Sequence, residues 1–361
     1  MHPDARCWSP LLLLTLLACG GADRPPATQT TTDSAPAAAG TSPALMAYVT
    51  NEGSGEVTII DVALDSAVGT IPVGTRPRGS RVSPDGTKLY VALSGSPRCP
   101  PTMPDAECEK LRADKSKDGI GEIDLGARKV TRVLPGGSDP ENFDISQDGT
   151  KLFISNEDVG EATFVDVASG KVEKTLKVGQ EPEGVELAPD GREVWVTGET
   201  AHDVTVLDTR SGKVLAKIET GKRPRSLVFN QDGTRAYVSS EVGGTVDIVD
   251  AKAYKVLKTL KMPEGAKPMG VALSPDGKRL YVANGRAGTV SLVDLGTDSV
   301  VASTKVGTRP WGIALTPDGR KLYAANGPSN NVSVLDAENM QVIKTIPAGE
   351  LPWGVSLGKA P

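Results

Sequence analysis

The chain has 361 residues, 40 Lys and Arg against 45 Asp and Glu, and a formal net charge of −5. No block of Lys or Arg interrupts it, which speaks against nucleic acid or an anionic membrane surface as partner. The four cysteines include no C-x-x-C-H, so covalent c-type haem is excluded, and neither a Gly-rich phosphate loop nor a metal-spaced His/Cys set occurs.

Residues 1–18 open with one Arg, an apolar core from Leu11 to Leu17 and then small residues, the layout of a secretory signal. The apolar run is too short to span a bilayer. Its end, LLAC at 16–19, resembles the lipobox of bacterial lipoproteins, which implies that Cys19 is the lipid-bearing first residue of the exported chain. The expected location is therefore the bacterial envelope, periplasm- or surface-facing, with the membrane reached through the lipid anchor. Residues 19–44 are rich in Pro, Thr, Ser and Ala, offer almost nothing to bury, and read as a disordered tether.

From residue 45 the chain cycles. An aromatic-bearing tract holding Tyr48 is followed by a tract ending at Asp61, a β-branched tract, and a tract led by Pro77. Six hairpin signals of the type SPDG or QDG then recur, their Asp residues 63, 42, 42, 44 and 42 apart, a period that belongs to four-stranded propeller blades. Alternating β-branched residues and Gly/Asp/Asn punctuation predict strands throughout. The aromatic tract occurs seven times (Tyr48, Tyr90, Phe153, Trp195, Tyr237, Tyr281, Tyr323), as does the tract led by Pro77, Pro140, Pro182, Pro224, Pro268, Pro310 and Pro352. Residues 45–358 are thus expected to form an all-β, seven-bladed propeller, followed by a tail at 359–361. Because the cycle opens on the aromatic tract and closes on a Pro-led one, one blade must join N-terminal strands to the C-terminal strand, removing free sheet edges.

Between KLYVALSG and GIGEIDL the cycle stalls. The extra segment, 95–117, carries Cys99 and Cys108, and in an exported protein these are expected to form a disulfide that staples the loop. Strand alternation places the segment over one mouth of the central channel, as a lid or partner-docking loop.

The tracts KLYVAN, VSVLD, KTIPAGELPWGV and SPDG resemble the YVTN family of propeller repeats across residues 45–358. A narrower similarity, on SNED (155–158), EPEG (181–184), RPR (223–225), SSEVGG (239–244) and LPWG (351–354), is to the YVTN propellers of PQQ-dependent catabolism. More distantly it is to the haem-d-binding propellers of nitrite reduction. The narrower resemblance implies a partner in a periplasmic quinone- or haem-linked pathway.

Internal comparison separates scaffold from site. The tract-ending Asp residues and the turn Asp residues occur in almost every blade and suit Asx turns and tight hairpins. The residue after each Pro varies instead: Arg78, Glu141, Glu183, Arg225, Met269, Trp311 and Trp353. This ring of ligand-binding candidates suits a planar or elongated organic ligand with acidic groups, with Trp as stacking face and Arg as carboxylate or phosphate fork. Substitution of Trp311 or Arg225 is expected to cost capture rather than stability. Loop residues Glu157, Glu199 and Glu241 could gather oxygens for a hard cation such as Ca²⁺. His202, the one histidine beyond the signal, could serve as an axial ligand to a haem-type group. GVSLG at 354–358 matches G-x-S-x-G but lies in a closing strand with no helix after it, so it is no nucleophile elbow.

These readings favour a monomeric, non-enzymatic, envelope-tethered propeller that binds a small molecule or an envelope protein. The alternatives are a metal-assisted lactonase or similar hydrolase using the Glu cluster, and a structural surface protein whose ring plugs the channel.

Overall fold

The computed structural model describes residues 44–98, 103–108 and 110–360. The signal, the tether with Cys19, and Cys99 with its pairing to Cys108 lie outside those residues.

Seven four-stranded antiparallel sheets follow one another in chain order. In the fourth blade the strands are Pro182–Leu187, Glu193–Gly198, Asp203–Asp208 and Val214–Glu219, and the other blades repeat this plan. The two middle strands of each blade are buried almost end to end, while the outermost strand alternates and exposes Lys and Val. Period-2 patterning is visible only on that outer strand because the middle strands are packed on both faces.

The aromatic residues that recur once per blade are all buried and knit blade to blade. Tyr281 donates its hydroxyl to the carbonyl of Ala337 in the next blade at 2.8 Å. Trp195 packs edge-on against Phe229, ring centroids 5.0 Å apart. Tyr281→Ala is expected to destabilise by about 2 to 5 kcal/mol, the cost of a large cavity with a lost hydroxyl partner. Urea unfolding checks this, and a loss under about 1 kcal/mol would contradict the packing role.

The Asp residues act as scaffold. Each of the seven tract-ending residues accepts backbone N–H groups two or three residues on, as when Asp61 takes Ala63 and Leu64. In the hairpins, Asp148 accepts from the Ser146 hydroxyl and from Thr150, which pulls its carboxyl down to about 2.

Closure is as expected. The strand Pro352–Lys359 pairs antiparallel with Leu45–Asn51, from Leu45 opposite Lys359 to Asn51 opposite Pro352. Ala360 donates to Ala44 beyond that ladder. The final strand therefore runs one residue past the expected boundary at 358. Across the seam with the seventh blade, Tyr323 donates to Asp65 at 2.6 Å and Lys321 pairs with the same carboxylate.

The innermost strands crowd the axis. A Cβ on Gly184 would stand 2.5 Å from the carbonyl oxygen of Arg225, and one on Gly270 the same distance from that of Trp311. Small residues after the ring position are thus a requirement of strand approach.

The extra segment holds a short helix, Asp105–Cys108, and a single turn, Lys115–Lys117. Its base is fastened to the third blade. Lys115 binds Asp158 and the Ser96 hydroxyl, and Asp118 accepts from the backbone of Gly95 and Asp139.

Candidate functional site

In six blades the first turn of the inner strand carries a one-residue register shift, for example between Pro182 and Val185. Such a bulge re-aims a side chain, and here it spans the residue after proline. The residue before each proline adopts a left-handed backbone with φ between 45° and 62°: Arg76, Asp139, Glu181, Arg223, Lys267, Arg309 and Leu351. No glycine is used there, although the conformation costs L-residues of the order of 1 kcal/mol each. In six blades the carbonyl at this position accepts the N–H of the residue that opens the neighbouring face loop, among them Glu52, Glu157, Glu199 and Glu241. The strained residue therefore holds the loop acid over the channel.

The ring and the loops enclose a cavity of about 570 Å³ lined by Arg78, Glu141, Arg225, Trp311 and Trp353 of the predicted ring, with Glu157. Glu183 and Met269 line a recess of about 70 Å³ that shares Arg225, Trp311 and Trp353 with it. One wall is ionic. Arg78, fully buried, holds Asp139 at 2.5 Å, Glu141, and Glu157 at 3.2 Å. Arg225 holds Glu183 and Glu199, with Glu241 at 3.5 Å. The opposite wall is Trp311, Trp353, Leu351 and Pro328.

Burial pushes the carboxyls of Glu141 and Glu183 well above the usual range, against the pull of Arg78 and Arg225. Around Arg225 the neighbouring acid goes the other way. Burial opposes ionisation of Glu199, yet Arg225, a hydrogen bond with Glu183 and then Arg223 bring its carboxyl below the usual range. Adjacent carboxyls are thus pushed apart, one toward its protonated form and the other toward its charged form.

Two of the expected ligand roles meet other contacts. Glu157, Glu199 and Glu241 do not converge on a cation, because arginines already occupy the space between carboxylates. Glu157 meets Arg78, while Glu199 and Glu241 share Arg223 and Arg225. Among the described residues no group of three His, Cys, Asp or Glu side chains could hold a metal ion. His202 stands apart from the ring residues. It sits in an exposed left-handed turn (φ 57°), its Nδ1 2.9 Å from the Glu199 carbonyl oxygen and 3.2 Å from the Arg223 amide. That contact ties its ring to the loop base, and it lines neither the cavity nor the recess.

The extra segment does reach the mouth, where Arg98 joins the lining. Sequence reasoning missed Arg76, Arg223, Arg309 and Leu351, which also line the cavity. The signal was available: the residue before proline varies between blades as much as the residue after it.

A family model described as "Lactonase, 7-bladed beta-propeller" matches residues 182–345, the fourth to seventh blades. Seven blades is the shared plan. Among solved structures, the periplasmic gluconolactonase of Pseudomonas aeruginosa superposes with a TM-score of 0.68 at 22% identity, covering 88% of this chain and 100% of that one. A candidate 6-phosphogluconolactonase of Bacteroides fragilis gives 0.72 at 18%, covering 87% and 98%. Kuenenia stuttgartiensis hydrazine synthase gives 0.68 at 23%, covering 81% and 92%. No curated protein sequence matches the chain. The narrower resemblance to propellers of quinone-dependent catabolism and haem-d binding is not carried by these matches.

Proposed function

We propose that the chain is a hydrolase of the lactonase family that opens a lactone ring at the arginine-walled mouth, and that it works tethered to the envelope through Cys19. Support comes from the lactonase match over four blades and from the gluconolactonase among the structural neighbours. The observation that carries the reading is the set of hydrogen-bonded acids with arginine beside them, Glu141 and Glu157 at Arg78 within the cavity.

The chemistry follows from that set. Glu157, the more exposed of the two, takes a proton from the attacking water as its oxygen bonds to the lactone carbonyl carbon. Guanidinium groups of Arg225 and Arg223 face the cavity and stabilise the oxyanion, the task a cation would otherwise perform. Glu141, which keeps its proton, gives it to the ring oxygen as the C–O bond breaks. The proton on Glu157 then returns to Glu141 across their hydrogen bond. One water is consumed and one hydroxy acid is formed.

The test is hydrolysis of glucono-δ-lactone and its 6-phosphate by the purified protein. Glu157→Gln is expected to lower kcat about 10²- to 10³-fold with the circular dichroism spectrum unchanged. A wild-type protein without lactonase activity on either compound overturns the reading. Anchoring is tested separately. Cys19→Ser is expected to move the protein from the membrane pellet to the soluble fraction, since acyl chains supply the attachment. Persistence in the pellet after a high-salt wash would count against it.

A further inference from the structure

The arginines before proline follow a rule set by the repeat. Arg76 of the second blade pairs with Glu52, the loop residue of the first, at 2.8 Å. Arg223 of the fifth blade pairs with Glu199, the loop residue of the fourth. Arg309 of the seventh blade stands at the same place, but the loop residue of the sixth is Gly285. Among the described residues Arg309 has no carboxylate within 4 Å. It lies instead over Trp311, its guanidinium carbon 5.4 Å from the ring centroid, and it lines the cavity. Stacking leaves the edge of a guanidinium free to donate in its own plane.

We propose that Arg309 is the seat for an anionic group of the ligand, a carboxylate or a phosphate, and that the glycine at 285 keeps this seat open. The inference rests on the lactonase reading for the identity of the site and adds the substrate class: a lactone that carries an acid. At the other two arginines before proline, Arg76 and Arg223, the repeat supplies its own counter-ion. A charge-assisted fork left unclaimed can discriminate an acidic substrate from a neutral one without first breaking an internal ion pair.

The same repeat furnishes the test. Gly285→Glu restores the missing counter-ion. Its Cβ would come 2.9 Å from Met269 Cγ, part of a flexible side chain that can give way. Arg309→Met removes the seat at nearly constant length. The whole chain is titrated with glucose, glucuronate and glucose 6-phosphate, sugars with no lactone to hydrolyse, using tryptophan fluorescence and calorimetry. The wild type is expected to bind at least one of the two anions about 10-fold or more tighter than glucose, the scale of one charge-assisted contact. The tighter of the two identifies the group as carboxylate or phosphate. Both variants are expected to bring the anion and glucose within about 2-fold, while Arg309→Lys retains part of the preference. Equal binding of all three sugars by the wild type, or a preference that survives in both variants, overturns the proposal. Anion preference lost in both variants alongside absent lactone hydrolysis would sink the lactonase reading and leave this one standing. Hydrolysis with a preference indifferent to both variants would do the reverse.

Discussion

Deletion of residues 352–361 is expected to abolish the single cooperative unfolding transition of the propeller. The lost strand is the innermost of the blade that holds Tyr48, and its partners sit at the far N-terminal end of the fold. Its removal strips the ladder from Leu45–Asn51, the Thr50 hydrogen bond to Gly354 and the Ser356–Ser80 hydroxyl contact that reaches the next blade. Leu45–Asn51 then becomes the unpaired inner edge of a three-stranded blade, and the packing of the lost strand against the inner strands on either side goes with it. Urea titration followed by fluorescence and circular dichroism reads the result: a broad or two-step transition with a reduced slope. A truncated chain with the wild-type midpoint and slope would show that the shared blade does not hold the ring closed.

Arg78→Met is expected to cost about 3 to 5 kcal/mol, far more than a mouth residue would ordinarily be worth, because it strands buried acids without a counter-charge. On sequence grounds, replacing Arg225 was expected to cost capture rather than stability. Arg78 stands differently, since it is buried and joins the second blade to three carboxylates of the third. The pH dependence has a definite sign. Burial works against the Asp139 charge, but Arg78, the Ser94 hydroxyl, Arg76 and Lys115 together outweigh it, so the carboxyl is held below its usual range. Its stabilising effect is full above that range and fades as pH falls through the depressed value. Glu141 is raised, so its effect is full at acid pH and fades as pH rises. Without Arg78 both acids must carry protons to stay buried. The deficit of the variant should therefore be largest at neutral pH and shrink below about pH 4, where carboxyls protonate anyway. Thermal unfolding at about pH 3 and pH 7.5 measures it, and a deficit equal at both would argue against an electrostatic origin.

Much of this was legible because a repeat exposes its own rules. Tyr281, Tyr323 and Trp195 recur once per blade and are core, as the periodic tract indicated. Five of the seven residues after proline converge on one cavity and the other two on the recess that adjoins it, aimed by strand alternation and, in six blades, by a bulge. What could not be read is which charges meet. Arg225 touches Glu183 and Glu199 from the preceding blade, contacts set by loop heights and blade spacing rather than by separation along the chain. That is why a set of loop glutamates looked like a cation cage until guanidinium groups filled it. The Nδ1 of His202 likewise meets both the Glu199 carbonyl of its own loop and the Arg223 amide of the adjacent blade.

The crowded inner strands carry a consequence for traffic through the molecule. Below the mouth the axis narrows to the recess of about 70 Å³, too small for a six-membered ring with its substituents, before the cavity of about 150 Å³ at the other end. A ligand held at the mouth must leave by the door it came in. On the proposed lactonase reading, substrate and product would share one threshold, so the hydroxy acid formed is expected to inhibit competitively.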